Sequence, residues 1–167
     1  GHNSVEPNYN IKEEKFTTVN DLFSKTKKNI KSADIVIHAA AVSDFAINNK
    51  QDSKIRSGKE LHLELSPTTK IFEKLKNLNK KIFLVGFKAE HNVSENQLIS
   101  SAYDILKKAK ADLVIANDVG KKGRGFDVDT NEVFVVDKHK KVQHIKLADK
   151  RVIADKIFDA IVKRLNK

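Results

Sequence analysis

Three short apolar runs organise the chain: residues 34–39 with Ile35, Val36 and Ile37, then Ile82–Val85, then Leu113–Ala116. Apolar residues at consecutive positions fall on both faces of a strand, which is how a strand buried in a parallel sheet reads. Helical spacing fills the intervals. Ser94–Lys110 places Leu98, Ile99, Ala102, Ile105, Leu106 and Ala109 on one side. Ile71, Phe72, Leu75 and Leu78 follow a helix start at Pro67, Thr68 and Thr69, and residues 148–166 carry Val152, Ile153, Ile157, Phe158, Ile161 and Leu165. Near the beginning, Lys15–Val19 reads as a short strand. Thr18-Val19-Asn20-Asp21 then has the form of a capping box, opening a helix to Ile30 with Leu22, Phe23 and Thr26 near one face.

Two further patterns differ. Lys59–Leu65 alternates strictly, with Leu61, Leu63 and Leu65 against Glu60, His62 and Glu64, as in a strand wet on one side. Val133–Val136 and Val142–Leu147 flank the polar stretch 137–141 and predict a hairpin. Residues 1–14 hold no period, and the polar stretch 46–58 reads as a loop whose length suits a functional role or disorder. Strands alternating with helices predict an α/β domain: a Rossmann-like three-layer αβα arrangement, a mostly parallel sheet, and a C-terminal antiparallel hairpin. Length allows one domain over 1–167.

Composition narrows the function. The net charge of +10 would suit a nucleic acid, a membrane surface or an anionic metabolite. The lysines, however, are spread through every segment beside acidic residues, and with two tyrosines and no tryptophan there is little to stack bases on. Neither nucleic acid nor membrane is an expected partner, and a polyphosphate substrate would still benefit from the field. Cysteine is absent, so no thiolate or disulfide chemistry comes from the protein. A cytoplasmic location is the natural expectation. The six histidines show no ligand spacing, so no metal site is expected.

Open α/β sheets bind ligands beyond the carboxyl ends of their strands. All three apolar runs end in small or polar clusters: Ala39-Ala40-Ala41 with Asp44, then Gly86-Phe87-Lys88-Ala89-Glu90, then Asn117-Asp118. The alanines would let a flat ligand approach the backbone, or serve only as a packing contact. Asn117-Asp118 equally suits a turn cap. The Thr69-Lys70 helix start offers free N–H groups to an anion. No GxGxxG or Walker fingerprint is present, and there is no Tyr-x-x-x-Lys pair, which disfavours a Rossmann oxidoreductase. The basic, glycine-punctuated stretch 120–125 suits either a triphosphate clamp or a mobile turn.

Six segments occur in one order: Ala39–Phe45, Lys54-Ile55, Pro67–Ile71, Val85–Glu90, Ala111–Val119 and Asp129–Val133. Together they resemble phosphopantothenate–cysteine ligase, the synthetase domain of the bifunctional coenzyme A biosynthesis flavoprotein, in its archaeal form. The resemblance runs from about residue 15 to the end. It implies a ligase joining 4′-phosphopantothenate to L-cysteine through an acyl-cytidylate, with CTP or ATP and Mg2+. It also implies a homodimer, with an FMN-dependent decarboxylase domain in the full-length protein. Ala39, Ala40, Ala41, Asp44, Lys54, Thr69, Lys70, Ile71, Phe72 and Phe87 would bind the nucleotide. Lys54 and Asn117 would serve catalysis, Lys54 facing the activated carboxylate or α-phosphate and Asn117 the pantothenate side.

The pattern departs from the family in two places. Ile105 and Ala109 stand where bacterial members carry lysines, with Lys107, Lys108 and Lys110 adjacent. The family's opening strand and its Asn-x-Ser-Ser-Gly segment have no counterpart here. The chain alone is therefore expected to be inactive, and the alternative reading is a truncated nucleotide-binding or interaction module.

Overall fold

The computed structural model describes residues 10–48, 53, 58, 60–125 and 127–166. In chain order its elements are α1 (Val19–Asn29), β1 (Ile35–His38), β2 (Phe45–Ile47), β3 (Leu65–Pro67), α2 (Ile71–Leu78), β4 (Phe83–Glu90), α3 (Glu95–Ala109), β5 (Leu113–Asp118), β6 (Thr130–Asp137), β7 (Val142–Asp149) and α4 (Lys150–Leu165). They divide into two compact units, one of Gly1–Asn29 with Ala40–Ile71, the other of Ile30–Ala39 with Phe72–Lys167.

In the first unit the cap at α1 governs the local structure. Thr18 Oγ1 accepts the Asp21 N–H at 3.1 Å, and the Asp21 carboxylate reaches back to the Thr17 N–H at 3.3 Å. With Thr18 committed to the cap, the predicted strand at Lys15–Val19 does not form, and Val19 opens the helix. β2 and β3 pair antiparallel, Phe45 opposite Pro67 and Ile47 opposite Leu65. The pairing continues outward through Asn48 N–H to the Glu64 carbonyl and Thr68 N–H to the Asp44 carbonyl. The strand predicted at Lys59–Leu65 is thus replaced by one beginning at Leu65, and residues 60–64 are irregular. Leu61, Leu63 and Leu65 are all more than half exposed, so the alternation has no buried face to fix its register. The helix predicted from Pro67 begins only at Ile71, because Pro67 belongs to β3 and Thr68 Oγ1 donates to the Ser43 carbonyl.

The second unit holds a five-stranded sheet in the order β1-β4-β5-β6-β7. β1, β4 and β5 are parallel, and the β6–β7 hairpin continues the sheet antiparallel from β5. This is the predicted combination of parallel strands with a C-terminal hairpin. β5 is central, with Leu113, Val114, Ile115 and Ala116 fully buried. Its odd-numbered residues join Val85, Val133, Val135 and Ile145 in a core against Ile153, Ile157, Ala160 and Ile161 of α4. α3 packs against β4, β5 and β6 through Leu98, Ala102, Leu106 and Ala109. The inward-facing Ile105 and Ala109 of the sequence pattern sit on this helix, half-buried and buried respectively.

Two expectations change in this unit. β1 is an edge strand rather than a central one: no strand among the described residues pairs with its outer edge, and Ile35 and Ile37 remain about two-fifths exposed. β4 runs on to Glu90 instead of stopping at Val85, since Phe87–Glu90 pair in register with Ile115–Asp118. α4 covers Val133 and Val135 of the hairpin completely, while Val142 stays two-fifths exposed, so the hairpin is packed into the sheet on that face.

Caps close the long helices. Ser94 and Gln97 form a reciprocal capping box at α3, Lys110 ends it in the left-handed region at φ 52°, and Asp149 caps α4. At the hairpin turn the nearly buried Asp137 carboxylate accepts the His139 and Lys141 N–H groups at 2.9 and 3.0 Å and pairs with Arg164 of α4 at 3.2 Å. Burial pushes its pKa up. The Lys141 and His139 N–H groups and the Arg164 guanidinium outweigh that and hold it below the ordinary carboxylate value.

Because the folded carboxyl is depressed, its stabilisation is present above the unfolded value and is lost as pH falls through the folded one. Asp137→Asn should remove about 3 kcal/mol, the usual cost of stranding one partner of a buried pair. Thermal melts at pH 7 should show a loss of roughly 6–12 °C, and the gap between variant and wild type should close in acid.

Candidate functional site

The carboxyl ends of β1, β4 and β5 are where an open α/β sheet would take its ligand. His38 ends β1 opposite Gly86 of β4. Gly86 is required by contact: a Cβ there would lie 2.7 Å from the Phe72 ring edge. Phe72 therefore rests on bare backbone, and its ring meets the His38 imidazole at 5.7 Å and a 55° tilt. His38 Nε2 is shut from water and has no hydrogen-bond partner among the described residues. Desolvation lowers the His38 pKa from its ordinary value, against a smaller opposing effect from a hydrogen bond to its own backbone. The imidazole is consequently held neutral with an unused nitrogen.

Side chains alternate along a strand, so Phe87 and Asn117 project to the face opposite Phe72. Ala89 stands opposite Asn117 in the β4–β5 register, and Phe87 opposite Ile115. Phe87 is two-fifths exposed and Asn117 half-buried, both beyond the part of that face that carries the buried core. The structure thus sets Phe87 and Asn117 on the same face at diagonal positions of β4 and β5, and Phe72 on the other side of β4.

Asp118 is the anchor of this edge. Its nearly buried carboxylate accepts the N–H groups of Asn92 and Gly120 at 2.9 Å and of Val93 at 3.2 Å, with Lys121 at 3.8 Å. Burial raises its pKa, but the Gly120, Asn92 and Val93 N–H groups and Lys121 bring it below the ordinary value. Gly120 lies so close that a Cβ would sit 2.7 Å from the Asn92 backbone nitrogen. The turn-cap reading of Asn117-Asp118 holds for the aspartate.

Beyond it, residues 119–125 close on themselves. Val119 N–H donates to the Glu90 carbonyl at 2.8 Å, and Gly125, at φ 115°, approaches the Val119 carbonyl. Thr130 Oγ1 donates to the Gly123 carbonyl at 2.6 Å. Glu132 pairs with Arg124 and also with His144 Nε2 at 2.5 Å, while the His144 ring stacks on Phe134 at 4.4 Å. The sequence reading missed this cluster because its members lie far apart along the chain. Asn131-Glu132 was the only signal.

In the first unit, Asp44 and Lys70 form an ion pair across the base of the β2–β3 hairpin. Both are more than half exposed. Ala40 and Ala41 are exposed, as is Ala39 at the end of the second unit's first segment. Thr69 is half-buried, and the Ile71 side chain is fully buried. Lys54 lies outside the described residues.

The family described as the C-terminal domain of DNA/pantothenate metabolism flavoprotein matches residues 1–165. The chain belongs to this family. Its flavoprotein relatives include the coenzyme A biosynthesis bifunctional protein CoaBC of Thermococcus kodakarensis, 42% identical over 89% of this chain and 36% of the relative. CoaBC of Methanocaldococcus jannaschii is 35% identical over 95% of the chain and 38% of the relative. The chain thus spans well under half the length of these curated relatives. Among solved structures, the DNA/pantothenate metabolism flavoprotein from Streptococcus pneumoniae superposes with a TM-score of 0.80 at 29% identity, covering 95% of this chain and 76% of that one. The flavoprotein-type α/β fold and the resemblance read from the six segments are therefore those of the family. Among the described residues, no helix is long and apolar enough to cross a membrane.

The neutral His38 generates a pH prediction. Its folded pKa is lowered, so between that value and the unfolded value near 6.5 the unfolded chain binds a proton that the folded chain does not. Stability should therefore fall as pH drops below about 6.5. Urea titrations at pH 7.5 and 5.5 should show part of this acid sensitivity disappearing in His38→Phe.

Proposed function

We propose that this chain is the ligase part of a coenzyme A biosynthesis protein, joining 4′-phosphopantothenate to L-cysteine. What supports the reading most directly is that Ala39 follows the last residue of β1, which lies beside Gly86, with Phe87 next along β4 and Asn117 further toward the carboxyl end of β5 on the same face as Phe87. The carboxyl edge is where such sheets bind nucleotides. Membership of the pantothenate flavoprotein family, and relatives named for coenzyme A biosynthesis, support the same assignment.

In this reading the 4′-phosphopantothenate carboxylate attacks the α-phosphorus of CTP or ATP, delivered with Mg2+. An acyl-nucleotidyl anhydride forms and pyrophosphate leaves. The cysteine amine then attacks the carbonyl carbon, the nucleoside monophosphate departs, and the amine proton is released. Negative charge builds on the α-phosphate in the first step. A fixed ammonium stabilises it without covalent work, and this is the role proposed for Lys54. Ala39, Ala40 and Ala41 would admit the nucleoside against the backbone, Asp44, Thr69 and Lys70 would bind it, and Phe87 would pack beside it. Phe72, on the opposite face of β4, drops out of this set, and Ile71, its side chain buried, could offer only backbone. Asn117 would face the pantothenate. The full-length protein would carry an FMN-dependent decarboxylase domain and act as a homodimer in the cytoplasm.

Asp44→Asn separates a binding role from a structural one. An exposed ion pair contributes at most about 1 kcal/mol, so the variant should melt within a few degrees of wild type. Its affinity for CTP or ATP, measured by calorimetry with magnesium, should drop severalfold. Unfolding of the variant, or unchanged affinity, would remove Asp44 from the nucleotide site.

Lys54→Gln tests catalysis in the full-length protein. Removing an electrostatic contact made in the transition state should lower kcat and kcat/KM together by about a hundredfold and leave KM nearly unchanged. A rise in KM at constant kcat would make Lys54 a ground-state binding residue instead.

A further inference from the structure

The basic stretch 119–125 is neither a floppy turn nor part of the nucleotide set named above. Asp118 holds its first residues through the Gly120 N–H, and Thr130 holds the Gly123 carbonyl. Arg124 folds back onto Glu132, and both side chains are largely buried, at 20% and 13% exposure. A guanidinium at that depth needs its counter-charge, since stranding a buried ion is far costlier than losing an exposed one. Glu132 is itself braced by His144, which is fixed by stacking on the buried Phe134. The loop carries three basic residues and no acidic one, and Lys121 and Lys122 stand exposed on it. It leaves β5 two residues beyond Asn117, at the carboxyl edge of the parallel strands.

We propose that Arg124, Glu132 and His144 are positioning residues. They pin the 119–125 loop to the sheet and so hold the ammonium groups of Lys121 and Lys122 where they meet the phosphate chain of the nucleotide. Two lysines on a mobile loop would have to be ordered on binding, whereas a fixed loop has that cost removed in advance. The inference rests on the nucleotide reading above and adds the element that receives its phosphates.

The test uses this chain with inorganic tripolyphosphate and, separately, CTP and ATP, all with magnesium. Calorimetry gives affinity, and hydrogen–deuterium exchange of residues 119–125 reports loop order. Wild type should bind tripolyphosphate, and its loop amides should exchange slowly even before ligand is added. Glu132→Gln should speed exchange in the loop but not in β4 or β5, and weaken tripolyphosphate binding by about tenfold, equivalent to about 1.4 kcal/mol. His144→Phe keeps the stack on Phe134 while deleting the bond to Glu132. It should show the same two changes to a smaller degree, and it carries the test should Glu132→Gln not fold. The double variant Lys121→Ala, Lys122→Ala should lose tripolyphosphate affinity with exchange unchanged.

Absence of tripolyphosphate binding by wild type, or loop exchange unaltered in both positioning variants, would overturn the proposal. So would full affinity in the double lysine variant, even if CTP and ATP bind, in which case the nucleotide reading survives without it. Tripolyphosphate binding that follows the predicted pattern while neither nucleotide binds would instead keep the phosphate-holding loop and refute the nucleotide reading.

Discussion

Everything in the larger unit is arranged around β5, a strand with no water on either face. Leu113 to Ala116 are fully buried, so each of their backbone polar groups needs a protein partner. β4 supplies one edge in parallel and β6 the other in antiparallel. Once those two pairings are made, the positions of the remaining parts follow. The parallel side brings the end of β4 level with the end of β5, Glu90 beside Asp118, while β1 stops four residues earlier, at His38 beside Gly86. The antiparallel side returns the chain beside its own loop, which is how Glu132 comes to meet Arg124. Asp118, the last residue of the strand, then absorbs the N–H groups that the emerging loops cannot pair among themselves.

Where the sequence was legible, two independent constraints coincided. Consecutive β-branched and leucine residues in 82–85 and 113–116 identify strands whose faces are both covered, and they are. The apolar period from Leu98 to Ala109 identifies α3, and the Ser94–Gln97 capping box seen in the structure agrees with the start that period implies. The readings that failed rested on one constraint only. Lys59–Leu65 had alternation without a core to receive it. Lys15–Val19 had strand-like composition in competition with a hydroxyl that satisfies helix donors. β1 had the composition of a central strand, but strand order is set by what pairs with its outer edge, and composition does not encode that.

The candidate site divides along the same line. Residues at strand ends were legible because the edge of a parallel sheet is a place as well as a sequence position. Ala39, just past β1, and Asn117, next to last in β5, belong to that group; Phe87 does not, since β4 runs on beyond it to Glu90. The Arg124–Glu132–His144 cluster was not, since residues eight and twelve apart become neighbours only after the hairpin has formed with its irregularity between Asn131 and Val133. His38 was hidden differently. A histidine beside three alanines carries no periodic signal, and its isolation comes from an aromatic ring thirty-four positions later.

That ring has a consequence for how the chain can drift. Phe72 occupies the volume a side chain at position 86 would need, so neither residue is free to vary by itself. Enlarging position 86, even by a methyl group, would expel the ring and wet the histidine nitrogen beneath it. Shrinking position 72 would leave a void that only a larger residue at 86 could fill. Across related proteins the two positions should therefore exchange volume as a pair, the strand gaining side chain where the helix gives it up.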